Sequence, residues 1–493
     1  MRTRICLYIL LLVPLAVYWQ TLFHDYGIRE DYSYLRESRE EPGQMVKVSA
    51  SFGRPLYGAL VETTYSATGH VDQLVWMRLA TVVLLTVLAL AVWRQLYQSG
   101  WNEVEAAVIG LGVVLLPSSQ FVAGAAASWP QALTLVLAMA GFSATETEIE
   151  RGGLKRWVAL LGGCMIYTAA ALIYQSNVLF ALVPMAAIFL VRTGREPMND
   201  LKWGAIHVTT LMLGLLFAYL MVQALFSNGV FEESTRMRLE TNPLTKILWF
   251  FINPLPNSLA LFALADDNYR GVVFYALSIV VALVLLVLGY RRIKAGGNAS
   301  LLRKWKICLF GVPFLASVVS LAAAERAGGY RLIFALSTLV LVMVMFAIRV
   351  LLEGRKIKSR LIYACYAVVV LVAAFFAQRH SFTLVAEPQG REWTLMKGAV
   401  LRAAFNKPVR AYVITPTAEH RSTERLYRDE FGHVSASSEH VAQEMFKAAV
   451  RDRYPEKLPK GGSYTVAAGV AEPEAGAYDV VVDMRRLREF REN

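Results

Sequence analysis

The chain has 493 residues, 56% of them hydrophobic and 18% charged, with a formal net charge of +12. Its apolar runs are too long and too frequent for the core of a water-soluble domain, which excludes a soluble enzyme or a small soluble binding module. A pI near 9.5 would suggest nucleic acid in a soluble chain, but here the cations gather in short loops between apolar runs, a membrane pattern with no nucleic-acid partner.

A helix crosses a hydrocarbon layer of about 30 Å with roughly 20 apolar residues. About eleven runs meet that measure, near 4–23, 74–95, 104–125, 129–147, 156–174, 176–192, 203–226, 270–290, 305–324, 330–351 and 360–378. They lack period-two alternation and exceed the length of a barrel strand, so the fold class is a polytopic α-helical membrane protein. The first run, MRTRICLYILLLVPLAVYWQTLF, has a basic start and no small-x-small cleavage site, which predicts an uncleaved signal anchor. Neither an N-terminal myristoylation glycine nor a C-terminal CaaX box is present. Cys6, Cys164, Cys308 and Cys365 all fall in apolar runs without metal-ligand spacing, against a zinc site or a disulfide framework.

Basic loops mark the cytoplasmic side. RRIKAGGNASLLRKWK (291–306) holds six Lys or Arg and no acid, and RVLLEGRKIKSR (349–360) holds five against Glu353. Alternation then places 24–73, 227–269, 325–329 and everything after about 379 outside. The expected organisation is a transmembrane domain over 1–378 and an extracytoplasmic α/β domain over 379–493. In the latter, PVRAYVITP (408–416), GSYTVAAGV (462–470) and AYDVVVDMRRL (477–487) read as strands, and SSEHVAQEMFKAAVRDRY (437–454) as a helix.

The first outer loop is too long for a simple connection. It holds REDYSYLRESREE and then SFGRPLYGALVETTYSATG (51–69), where Leu56, Tyr57, Leu60, Val61 and Tyr65 form one helical face suited to the membrane surface. Glu30 and Asp31 directly follow the first span, at the height of a lipid phosphate. A partly desolvated carboxylate there can act as a general base on a hydroxyl; Asp25 is an alternative carrier. Arg54 is the natural phosphate clamp. Further along, Tyr174, Gln175 and Asn177 crowd a tight turn on the same side, as do Glu325, Arg326, Tyr330 and Arg331. The stretch 242–270 is apolar yet broken by Pro243, Pro254 and Pro256, which predicts an interfacial or re-entrant helix, with Asp266, Asp267 and Arg270 beside it. Each of these groups also has a plain structural reading as a solvated face, a helix cap or a surface ion pair.

Together the acidic pair Glu30-Asp31 after the first span, GRP at 53–55, YQS at 174–176 and the ER…YR of 325–331 resemble the GT-C class of membrane glycosyltransferases, and within it the bacterial O-antigen glucosyltransferase type. Where many members have two adjacent aspartates, this chain has Glu30 first. The resemblance implies a hexosyl- or pentosyltransferase in a bacterial inner membrane. Its sugar would leave a polyprenyl-phosphate donor for a glycan or lipid-linked acceptor on the outer face. It implies Asp31 or Glu30 as base, Arg54, Arg326 and Arg331 as donor-phosphate ligands, and Tyr57, Tyr174, Gln175, Glu325 and Tyr330 as substrate contacts. No cofactor is implied beyond, at most, a divalent cation at the acids. The competing readings are a flippase or transporter, and a polymerase or ligase, of polyprenyl-linked glycans.

Overall fold

The computed structural model describes residues 2–149, 153–192, 199–264, 269–355, 358–417 and 431–487. The chain enters through α1 (Arg2–Phe23), then forms three short helices, α2 (Asp31–Glu40), α3 (Gln44–Ser51) and α4 (Pro55–Ser66), before the long α5 (Val75–Gln98). There follow α6 (Glu103–Leu115), α7 (Pro117–Gly124), α8 (Trp129–Glu148), α9 (Gly153–Val178), α10 (Leu182–Val191) and α11 (Asp200–Ser227). Two short helices, α12 (Pro243–Ile252) and α13 (Pro254–Leu259), precede α14 (Tyr269–Ala295). The pieces α15 (Ala299–Lys306), α16 (Val312–Leu315) and α17 (Val318–Ala322) lead to α18 (Phe334–Leu352), α19 (Ser359–Ser381) and α20 (Glu387–Arg402). The remainder is β1 (Pro408–Ile414), α21 (Glu439–Arg453), β2 (Ser463–Gly469) and β3 (Val480–Asp483).

This is an integral membrane protein, mostly helical, with a small parallel sheet. Among the described residues seven helical stretches are long and apolar enough to cross a membrane, or eight if the bent α6–α7 pair is one span. The other expected crossings take different forms. The break between α6 and α7 bends the chain by 51° at Leu116–Pro117, where a proline cannot continue the ladder. The carbonyls freed there are met by Ser119 Oγ (to Val113, 2.5 Å) and Gln120 Nε2 (to Leu115, 2.8 Å). From Gly153 to Val191 the run is 39 residues, roughly twice what one crossing needs, and it breaks at Tyr174, whose φ of −156° and ψ of 98° are not helical. The stretch expected to cross at 305–324 is divided among α15, α16 and α17, with a wider turn over Ile307–Gly311 and Pro313 after it.

Contacts sort the helix ends. At one end Arg192 pairs with Asp200 (3.1 Å), Lys304 with Asp200 (2.5 Å), and Glu146 accepts from Trp203 Nε1 (2.8 Å) and meets His207 Nε2 (2.8 Å). The termini of α8, α10, α11 and α15 are therefore tied together. The opposite end carries α2, α3, α4 and the sheet. All three strands are parallel, in the order β2-β1-β3, with Ala411 opposite both Val466 and Val480. The strands expected at 408–416 and 462–470 match β1 and β2, while β3 is only four residues long because the chain turns into a tight helical turn at Met484.

The sheet does not stand apart. Tyr32, Leu35, Val61, Tyr65, Leu74 and Met77 from the first 80 residues share one apolar core with Trp393, Met396, Val409, Phe446 and Met484. The apolar face of α4 expected to rest on lipid is thus partly covered by the chain itself. Gly58 lets α4 approach α3: a Cβ there would lie 2.7 Å from the Met45 carbonyl oxygen and from Val46 Cα.

The end contacts make a topology test. With the four native cysteines replaced, a single cysteine at Glu41 reacts with a membrane-impermeant maleimide on intact cells. One at Ser300, at the opposite end, reacts only after permeabilisation. The reversed pattern would overturn the orientation set by the basic loops.

Candidate active site

A buried arginine holds the turn that follows α1. Arg78, at the start of α5, donates to the His24 carbonyl at 2.9 Å and the Tyr26 carbonyl at 2.8 Å, and lies 4.1 Å over the Tyr26 ring. Tyr26 in turn donates its hydroxyl to the Gly124 carbonyl at 2.9 Å. The next residues adopt an unusual path: Arg29 has φ of +48°, which costs a residue bearing a Cβ on the order of 1 kcal/mol or more. Its N–H donates to Ser435 Oγ at 2.9 Å, a bond to the far end of the sequence that helps retain the strained turn.

That turn delivers Asp31 to the first position of α2. One carboxylate oxygen accepts the Ile28 N–H at 2.7 Å and the other accepts the Tyr65 hydroxyl at 2.5 Å. The side chain is 1% exposed. Burial pushes its carboxyl up to about 6, against the lowering effect of Tyr65, the Ile28 N–H and Arg78. Burial, and then the Asp31 charge, raise the Tyr65 phenol. Glu30, one residue earlier, is exposed. Asp25 is also exposed and lines a separate cavity.

A second group forms where α4 meets the break in α9. Gly53 takes φ of +74°, and the turn places Arg54 so that its Nε donates to Gln175 Oε1 at 3.1 Å. Gln175 Nε2 donates back to the Gly53 carbonyl at 2.5 Å. The Arg54 guanidinium lies 4.1 Å over the Tyr174 ring, which is 6.4 Å from that of Tyr57. Tyr57 donates its hydroxyl to the Ala127 carbonyl at 3.0 Å. Burial raises its phenol, while Arg331 and Arg54 pull it the other way. The Arg331 guanidinium lies 5.7 Å from the centre of the Phe121 ring.

Of these residues Gly53, Arg54 and Gln175 line a cleft of about 410 Å³, while Tyr57, Tyr174 and Arg331 lie outside its lining. Its walls are Met212, Leu215, Tyr219 and Val222 of α11 and Val318 and Val319 of α17; its polar rim is Arg54, Gln175, Arg236 and Glu325. Arg236 was absent from the residues singled out in the sequence. It reaches the rim because the Ser234 N–H donates to the Ser51 carbonyl at 3.1 Å, joining the segment after α11 to the end of α3. Its guanidinium lies 5.2 Å over Phe52 and 3.7 Å from the Glu325 carboxylate. The available signal was an arginine in a stretch that alternation places on the same side as Arg54.

The other expected residues are nearby but outside this lining. Arg326 is exposed beside Glu325, whose carbonyl accepts from the buried Lys246 at 2.6 Å. Tyr330 is buried edge-on to Phe431, 5.6 Å between ring centres. Asn177 is buried and donates to the Gln131 carbonyl at 3.3 Å. Asp266 and Asp267 lie outside the described residues. Among the described residues no group of three or more His, Cys, Asp or Glu is placed to hold a metal ion. Each Asp31 oxygen accepts one hydrogen bond, from the Ile28 N–H and the Tyr65 hydroxyl.

No family model matches the chain, and no curated protein does. Among solved structures it is similar to the oligosaccharyltransferase AglB of Archaeoglobus fulgidus, in a complex with an inhibitory peptide and a dolichol-phosphate. The match has a TM-score of 0.45 and 11% identity, over 91% of this chain and 64% of that one. The same archaeal enzyme tethered to an acceptor peptide gives a TM-score of 0.45 and 12% identity, over 91% and 63%. The chain thus spans less than two thirds of the length of these structures.

Asp31 sets a pH test. Its folded carboxyl binds a proton more readily than the unfolded one, so its contribution to stability is complete below about pH 4 and is lost as pH rises through about 6. A two-unit shift corresponds to roughly 3 kcal/mol. Thermal unfolding in micelles at pH 5 and 7.5 should therefore show wild type losing more stability than Asp31→Asn. Equal losses would show that another group titrates.

Proposed function

We propose that the chain is a membrane glycosyltransferase of the GT-C type, moving a sugar from a polyprenyl-phosphate donor to a glycan or lipid-linked acceptor on the outer face of the membrane. The observation that carries this reading is the cleft: apolar side chains of α11 and α17, with two guanidiniums, an amide and the Glu325 carboxylate that pairs with Arg236 at its rim. Apolar walls suit a prenyl tail, and Arg54 and Arg236 suit the anionic group where tail meets water. Gln175 holds Arg54 through a hydrogen bond, and Tyr174 supports its flat face, so little reorganisation is needed when charge develops.

The reaction is a single displacement. The acceptor hydroxyl oxygen forms a bond to the anomeric carbon as the bond from that carbon to the phosphate oxygen breaks. The electron pair leaves with polyprenyl phosphate, against Arg54 and Arg236, with Arg331 nearby. The hydroxyl proton passes to a carboxylate. Exposure favours Glu30 as that acceptor, with Asp31 fixing the turn that presents it; Asp31 would serve directly only if its bond to Tyr65 opened. Holding both substrates at one rim supplies the entropic part of the rate. The sugar would change anomeric configuration on transfer.

Proteoliposomes given radiolabelled polyprenyl-phosphate sugars and a lipid-linked glycan acceptor test this. Transfer should fall at least tenfold in Arg54→Ala and in Arg236→Ala. Glu30→Gln should fall further than Asp31→Asn if Glu30 is the base, and the reverse order would assign Asp31. Movement of labelled lipid between leaflets without transfer would favour the flippase reading and overturn this one.

A further inference from the structure

A second cavity, of about 370 Å³, lies at the sheet end and shares no lining residue with the cleft. It forms where four separate pieces of chain meet: the turn after α1 (Asp25), the segment before α5 (His70, Asp72), α20 (Lys397, Val400, Leu401) and α21 (Ala449, Asp452, Arg453). Some of its wall is fixed by internal bonds. His70 Nδ1 lies 3.1 Å from Asp452 Oδ1, and Arg453 donates to the carbonyls of Val400 and Ala403 at 2.6 and 2.7 Å. The side chains of Asp25, Asp72 and Lys397 make no hydrogen bond or ion pair among the described residues, though the Lys397 ammonium lies 5.8 Å from the centre of the Trp393 ring. Lys397 and Asp72 nevertheless lie close enough to Asp452 to act on its charge in opposite directions.

We infer that this cavity binds a neutral saccharide, at a site separate from the rim of the cleft. The lining combines carboxylate acceptors (Asp25, Asp72) with a cationic donor (Lys397), beside an Arg453 held by backbone carbonyls, and includes the apolar Val400, Leu401 and Ala449. A sugar hydroxyl is both donor and acceptor, and a pyranose ring also has an apolar face, so it matches each part of this surface. A polyphosphate would meet three carboxylates, and a polyamine, although it would find those carboxylates, would also meet Lys397 and Arg453; a neutral polyol opposes neither kind of group. The volume lies within the range of small-molecule sites. The site is also coupled in position to Asp31: Arg78 binds the carbonyls on either side of Asp25, and the same turn continues into Asp31. The inference stands on the cavity itself and does not require the transferase reading.

Saturation-transfer difference NMR on the full-length protein in nanodiscs tests it, with maltotriose and chitotriose as probes and spermidine and tripolyphosphate as comparators. At least one trisaccharide should give ring-proton signals that drop at least fivefold in Asp72→Ala and in Lys397→Ala. Both variants should keep the wild-type unfolding midpoint and retain binding of polyprenyl phosphate. Arg54→Ala should leave the saccharide signals unchanged. Absence of signal from both trisaccharides, signals unaffected by either substitution, or preferential binding of spermidine or tripolyphosphate would each overturn the inference. None of these readouts depends on catalysis, so absence of transfer by the wild-type protein with saccharide binding retained would count against the transferase reading alone.

Discussion

A guanidinium buried at the start of α5 sets the geometry of the sheet end. Arg78 binds two backbone carbonyls and one aromatic face, so the chain leaving α1 has only one comfortable route. A buried arginine is costly to desolvate and is retained only where its donors are well used. Here they organise the turn whose continuation includes the strained Arg29 and the acid at Asp31. Replacing Arg78 with an apolar residue would leave the His24 and Tyr26 carbonyls without these donors, and the acidic pair would lose its fixed approach to α4.

Helix breaks serve the same end of the molecule. The bend at Leu116–Pro117 and the non-helical Tyr174 both lie there, as do Phe121 and Gln175, which face Arg331 and Arg54 respectively. Breaks within a membrane protein persist where freed backbone groups find partners inside the chain, and Ser119 and Gln120 provide them. At the opposite end, by contrast, buried ion pairs and the Glu146–His207–Trp203 contacts hold helix termini together. One end is built for rigidity between helices, the other for irregular backbone that exposes polar groups beside apolar walls.

Much of the helical framework was legible because roughly twenty consecutive apolar residues leave few alternatives. The exceptions have local causes. The 305–324 run has enough apolar residues but contains Gly311 and Pro313, and it divides into short pieces. β1 and β2 were legible from β-branched and aromatic runs, whereas the order β2-β1-β3 was not, because parallel neighbours are joined by long connections that leave no local signal. Residue type alone brought Arg54, Tyr57, Tyr174 and Gln175 forward, yet nothing local shows that Arg54 and Gln175, 121 positions apart, share a hydrogen bond. Asp31 illustrates the limit best. Its place after α1 suggested a water boundary, but its partner Tyr65 comes 34 positions later on a face that reads as merely apolar, so its burial became visible only in three dimensions.

The apolar core shared by the first 80 residues and the last hundred also constrains how the molecule is made. Contacts between segments this far apart in sequence are slow to form, because the intervening polypeptide must be in place before they can close. During synthesis α2 and α4 therefore wait, with Tyr32, Leu35 and Val61 uncovered, until every later helix has been inserted and α20 and α21 arrive. A chain lacking α20 and α21 would leave that apolar surface open to solvent or to other chains.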